Sequence, residues 1–428
     1  MVKNSLRALF VFVFMSTISA CNKEPQIEFL KPQSIIRFGD TRLKAKVLQF
    51  SKDTVYLLQT DIVRDSSQIL KIEAGTLIKV AEEKGITVNR GARIEAVGTP
   101  DRPVIFTVAN FTGIGGISVG RSENTWAGIK ISGLNNFSSA DLRYARIEFA
   151  GKFSSAALAL EKLDQTSVIN NIQISYSSYQ SLSIDSGNVN LSNIITYATY
   201  FEDIRILNGY KGKMQNILVY RHPYFFSSNV GRGLAGIWVQ GEGTFPAISN
   251  LSVLGAGVLP GSNTIEAAIV LSDGAKLKLS NSILANFAKQ ALYVDHALSA
   301  QSLANEESRI TNTIFHSVNE SAAFTLPRGI FPPFNSSHLK AFLLQAPFNN
   351  RQFRYPKEFL LKDPLGYDTQ PNPFPAANSP VLTGASFDDP AFADPFFNKV
   401  PYRGALGTDN WMEGWVNFLP LQTKYNYK

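Results

Sequence analysis

The sequence predicts an all-β chain wound as a single-stranded right-handed parallel β-helix, a solenoid of about ten coils, with an irregular Pro/Phe-rich C-terminal cap. Three observations predict it. A short alternating segment recurs along the middle of the chain, and a second, Asn-containing segment advances in step with it. After residue 21 the longest helical candidate is a weakly periodic stretch, Leu298 to Glu307.

The large apolar residues that open the first segment are Ile129, Leu158, Leu182, Ile204, Ile237, Ile269, Leu292 and Phe324, at steps of 29, 24, 22, 33, 32, 23 and 32. The second segment places Asn171, Asn193, Asn216, Asn250, Asn281 and Asn312 between apolar residues, at steps of 22, 23, 34, 31 and 31. Both series share a floor near 22 residues, which is one coil of chain per repeat. One coil cannot bury its inward face alone, so coils stack, and the longer steps carry loops. Asn suits the bend between strands because it tolerates left-handed backbone and its amide can reach the next coil. These Asn read as structural.

The same reading extends toward the N-terminus through Leu70–Val80, Gly85–Asn89, Ala92–Val97 and Val104–Thr107, short strands broken by Gly75, Gly85, Gly91 and Gly98. The expected organisation is therefore a signal segment over 1–20, a linker and cap over 21–66 with Gln26–Ser66 as its strap, the β-helix over 67–326, and a capping segment over 327–428. Fourteen of the 21 Pro fall in the last 102 residues, together with a high density of Phe. Pro excludes central strands and Phe excludes a solvated linker. This segment is expected to pack along the rod and close its end, anchored by Trp411 and Trp415; the alternative is an exposed aromatic patch.

The start of the chain reads as an address. Lys3 and Arg7 precede the apolar run Ala8–Met15, then small residues lead to Ile18-Ser-Ala-Cys21. The run is too short to span a bilayer and has the layout of a secretory signal. Cys21, the only cysteine, stands where the lipobox of bacterial lipoproteins places the residue that is lipid-modified. Acyl chains there would hold the chain at a membrane, each buried methylene contributing about 0.8 kcal/mol. Asn22-Lys-Glu24 is similar to the charged tag of surface-exported lipoproteins of the Bacteroidota, so the expected location is the outer membrane, lipid-anchored and facing the cell surface.

One cysteine excludes an intrachain disulfide and any Cys-rich metal site, and four histidines leave little for a multi-His centre. No metal and no cofactor is expected beyond the covalent lipid at Cys21. The formal charge is +7 with scattered Lys and Arg, which does not imply nucleic acid.

Several stretches carry a family resemblance: Ile72-Glu-Ala-Gly-Thr-Leu-Ile-Lys-Val80, Ile94-Glu-Ala-Val-Gly-Thr-Pro100, Arg102-Pro-Val-Ile-Phe-Thr107 and Trp126-Ala-Gly-Ile-Lys-Ile131. They resemble the opening coils of pectin-lyase-like β-helix lipoproteins of the Bacteroidota. Tyr402-Arg-Gly-Ala-Leu-Gly407 and Asn410-Trp-Met-Glu-Gly-Trp-Val-Asn417 are similar to the C-terminal end of the same proteins. The resemblance implies the fold and carries no known chemistry. β-Helices of this kind often handle polysaccharides, with clustered Asp and an Arg or Lys base in lyases and several Asp in hydrolases.

Catalytic candidates are few. Glu161 and Asp185 follow the first segment on successive coils, a spacing a carboxylate pair could use, but Leu207 interrupts the series. Asp273, Asp295, His296 and Arg205 stand alone, and adjacent Asp295 and His296 would point to opposite faces of a strand. The pattern contains no GxSxG, HExxH or P-loop. A tyrosine series is more regular: Tyr176, Tyr197 and Tyr220, trailed by Tyr179, Tyr200 and Tyr224. Facing outward it would be an aromatic strip for glycan rings or a protein; facing inward it would be a core stack. The expected function is a non-enzymatic outer-membrane lipoprotein acting as a rigid scaffold or partner-binding subunit of an outer-membrane complex. The alternatives are a glycan-binding or adhesive protein and a polysaccharide lyase or hydrolase.

Overall fold

The computed structural model describes residues 32–109, 125–152, 154–222, 225, 234–258, 265–363, 371–423 and 425. Its strands form a right-handed parallel β-helix with two long sheets, one of ten strands and one of 17. The ten-stranded sheet runs from Ile62–Arg64 through Gly128–Ser132, Leu158–Glu161, Leu182–Asp185 and Ile204–Leu207 to Phe324–Thr325. One strand per coil makes ten coils, and at about 4.8 Å per step the rod is roughly 45 Å long.

The inward column of this sheet is continuous. Ile62, Ile86, Ile129, Leu158, Leu182, Ile204, Ile237, Ile269, Leu292 and Phe324 are in register from coil to coil. None exceeds 2% exposure. Each such side chain contributes about 1.5–3 kcal/mol by leaving water.

The 17-stranded sheet has two flats. In the first coils each flat has its own strand: Gln33–Ile36, Val55–Leu58, Leu77–Val80 and Val104–Val108 on one, Val47–Phe50, Ile69–Ile72 and Arg93–Val97 on the other. The strand Ala140–Glu148 then continues both, pairing with Arg93–Val97 through its first half and Val104–Val108 through its second. It turns the corner at Tyr144, whose φ is 49°. In the next coils that corner is Asn171, Asn193, Asn216, Asn250, Asn281 and Asn312, with φ between 50° and 56°. Left-handed backbone costs most side chains roughly 1–2 kcal/mol, and Asn tolerates it best after Gly. The amides also link coils. Asn193 Nδ2 donates to Asn171 Oδ1 at 3.4 Å, Asn216 to Asn193 at 3.0 Å, and Asn349 to Asn312 at 2.8 Å.

The strap expected over Gln26–Ser66 is instead coil from Gln33 onward. Four short strands there, ending with Ile62–Arg64, pair in register with the following coils. Among the described residues, the turn around Thr41–Lys44 closes the end. Arg64 fixes it: this side chain takes the interior position where Val88 sits one coil on, is fully buried, and donates to the carbonyls of Leu43 (2.9 Å) and Ala45. Burial pushes its guanidinium down from its ordinary pKa.

At the other end, Arg351–Gln352 extends one flat beyond Ile314–Phe315, and helix α2 (Ser336–Leu343) buries Leu339 and Leu343. The Leu298–Glu307 candidate is the short helix α1 (Ala297–Ala304). Residues 385–423 fold back over the 17-stranded sheet. Ile195 and Leu218 point outward there and are fully buried, because this tail covers them.

Truncating one interior rung tests the account of the rod. The variant Ile204→Ala should lose about 2–5 kcal/mol of stability, and Ile204→Val about 0.5–1.5. Denaturant midpoints should follow that order; equal midpoints would place Ile204 outside the core.

Candidate functional site

Glu161 and Asp185 are in register on adjacent strands, about 4.8 Å apart along the rod. The structure does bring them together, and it also occupies both. Lys130 Nζ lies 2.6 Å from Glu161 Oε1, and Ser132 Oγ donates to Glu161 Oε2 at 2.9 Å. Asp185 accepts from Ser186 Oγ at 2.7 Å and from Asn208 Nδ2 at 2.9 Å. In the next coil the position is Leu207. An acid, a base and an open space between them are what hydrolysis by paired carboxylates requires; here each carboxylate ties one coil to its neighbour.

The isolated candidates have similar local roles. His296 Nδ1 accepts from the Leu298 amide and caps α1. Asp273 holds a left-handed turn at φ 50° and accepts from Gln240 Nε2 at 2.6 Å. Arg205 donates to Gln240 Oε1 at 2.6 Å and lies 5.5 Å over the Trp238 ring. Among the described residues, no group of three or more His, Cys, Asp or Glu is placed to hold a metal.

The tyrosine series needs a correction. Tyr176, Tyr197 and Tyr220 are buried, at 5, 3 and 3% exposure, so they offer no open strip for a ligand. They are not one in-register ladder either. Tyr197 pairs with Tyr220 and with Ser175, so Tyr176 sits one residue further, in the left-handed corner at φ 54°. The rings of Tyr197 and Tyr220 stack at 5.6 Å, and Tyr176 meets Tyr197 edge-on at 5.7 Å. Phe418 of the tail closes over Tyr197 and Tyr220 at 5.1 and 6.4 Å, and Phe225 packs on Tyr176 at 5.3 Å. Burial holds the Tyr176 hydroxyl above its ordinary range and pushes Tyr197 up to about 12. Tyr179 and Tyr200 are half-buried around Phe201, at 4.8 and 6.1 Å. Tyr224 and Cys21 lie outside the described residues.

Beside this cluster is a buried ion pair that no spacing signalled. Arg221 NH1 lies 2.7 Å from Asp203 Oδ2, with both side chains fully buried. Thr199 Oγ1 also donates to Asp203, at 2.6 Å.

The largest feature missed in the sequence is how the tail is gripped. Gln173 Nε2 donates to the Asn417 carbonyl at 2.7 Å while its Oε1 accepts from the Asn417 amide at 2.8 Å. Gln215 holds Asn398 in the same two-sided way, at 2.7 and 2.8 Å. Asn250 Nδ2 donates to the Tyr402 carbonyl at 2.9 Å, and Ser252 Oγ accepts from the Ala405 amide at 2.8 Å. Gly404 between them has φ 84°, and a Cβ there would lie 2.7 Å from Ser252 Oγ, so the Tyr402–Gly407 motif needs glycine to reach the sheet. Trp415 is fully buried and donates Nε1 to the Trp411 carbonyl at 2.8 Å. At the far end the Tyr425 hydroxyl donates to the Glu148 carboxylate, 2.5 and 2.6 Å from its two oxygens. Burial pushes the Glu148 carboxyl up, against the pull of Arg146 and the Tyr425 hydroxyl.

This architecture defines a class, the lyase-like parallel β-helices. The chain belongs to the family of pectate-lyase-like β-helix domains, whose model matches residues 42–329. No curated protein and no solved structure matches the chain. No helix among the described residues is long and apolar enough to cross a membrane.

The aromatic cluster carries a pH dependence. His222 lies 6.3 Å from the Tyr176 ring and 5.9 Å from Tyr197, and burial pushes it down to about 4 from 6.5. A lowered folded pKa means that stability is intact above pH 6.5 and falls as pH drops through about 4. The melting temperature should decline over that window in the native chain and decline less in His222→Gln. Identical profiles would remove His222 as the source.

Proposed function

We propose that this chain is a non-enzymatic scaffold, anchored through a lipid on Cys21 at the outer membrane and exposed at the cell surface, that binds a protein partner in an outer-membrane complex. The observation that carries the reading is the fate of Glu161 and Asp185. The carboxylate pair that follows the first segment on successive coils is consumed by Lys130, Ser132, Ser186 and Asn208. A stacked β-helix gives such a protein stiffness. The tail covers the outer face of the 17-stranded sheet around Gln173 and Gln215, which favours the ten-stranded sheet as the lateral contact surface. There the floor of Ala159 and Ser183 lies between Lys130 and Arg205. The half-buried Tyr179 and Tyr200 support glycan binding as the second reading.

The enzymatic alternative has a direct test. Full-length protein incubated with a panel of acidic and neutral polysaccharides should release no new reducing ends and no unsaturated products. A product that disappears in Glu161→Gln or Asp185→Asn would overturn the non-enzymatic reading. In the same preparation Cys21→Ser should leave the membrane fraction; retention there would overturn the lipid anchor.

A further inference from the structure

We propose that the first coil is a docking face for an anionic bilayer surface, so that the rod stands on its N-terminal end. This rests on the lipid-anchor reading of Cys21 and goes beyond it, because it assigns a second contact made by folded residues.

Phe38 is 95% exposed, the most exposed large apolar side chain among the described residues, in the turn after the first strand Gln33–Ile36. Val47 and Val63, both on strands that end their columns at this end of the rod, are 46 and 44% exposed. Soluble surfaces seldom gather large apolar groups at one end without a use. The surrounding charge is basic: Arg37, Arg42, Lys44 and Lys46 are all exposed within ten residues of sequence. The one carboxylate among them, Asp40, is neutralised by Arg42 at 2.6 Å. Two further acids of this end turn toward the next coil, Asp61 accepting from the Gly85 amide and Asp65 from Asn89 Nδ2, at 2.9 and 2.7 Å. Arg37, Lys44 and Lys46 are left as the cations of the face, beside Phe38.

An apolar tip ringed by Lys and Arg matches the interface of a bilayer, where aromatic rings enter the headgroup level and cations meet phosphates. Tether length agrees. Ten residues separate Cys21 from Pro32, and extended chain spans at most about 3.6 Å per residue, so the first coil lies within roughly 40 Å of an acylated Cys21. Arg64 gives the face a rigid backing, because it pins Leu43 and Ala45 from inside the coil.

The test uses the acylated full-length protein carrying Phe38→Trp, bound to vesicles of phosphatidylcholine with phosphatidylglycerol and with brominated acyl chains. The added emission, taken as the difference from the parent protein, should be strongly quenched. Replacing the anionic lipid with phosphatidylcholine, or introducing Arg37→Glu, Lys44→Glu and Lys46→Glu, should reduce the quenched fraction several-fold, in line with about a fivefold weaker contact per charge. An unquenched Trp at position 38 in protein that still floats with the vesicles overturns the docking face and leaves the anchor standing. Failure of the acylated protein to float with vesicles at all overturns the anchor reading instead.

Discussion

The molecule depends on one constraint: no coil can bury its own inward face. The column from Ile62 to Phe324 satisfies it by placing an aliphatic or aromatic side chain of every coil against the next. Everything else follows from keeping that column in register. Corners must fall at the same height in each coil, which selects Asn at 171, 193, 216, 250, 281 and 312. Both ends must be closed, which Arg64 and the Thr41–Lys44 turn do at one end and α2 at the other.

The rod then has an outer surface to manage. Outward Ile195, Leu218, Tyr197 and Tyr220 would make an apolar patch on a bare solenoid. The tail closes over it, with Phe418 against Tyr197 and Tyr220, and is gripped by the backbone-directed amides of Gln173 and Gln215. Such contacts satisfy the tail's amides and carbonyls where water is excluded, so an irregular chain can lie on a dry surface.

The part of this that periodicity carries was legible. Ile129 to Phe324 and the six Asn mark the coils correctly because their spacing is imposed by stacking. The first coils were less legible for a physical reason. Their strands are only three or four residues long, and Arg64 puts a cation where the inward pattern calls for an aliphatic residue. The tyrosines misled because Tyr176 occupies a corner while Tyr197 and Tyr220 end their strands, so the three do not form one in-register column. The covering of Tyr197 and Tyr220 depends on Phe418, some 200 residues away, which no local pattern contains. For Glu161 and Asp185 the alignment was readable and the occupation was not, since Lys130 and Asn208 come from neighbouring coils.

These features describe a stacked body with a packed interior, in which Glu161 and Asp185 tie coil to coil. On the proposed reading, its function lies in what it holds. The most direct measurement is a mild-detergent pull-down of the tagged full-length protein from cells that express it, with mass spectrometry of the eluate. The scaffold account predicts a membrane protein in stoichiometric amount. Recovery of the chain alone, from membranes in which other complexes survive the same detergent, would contradict it.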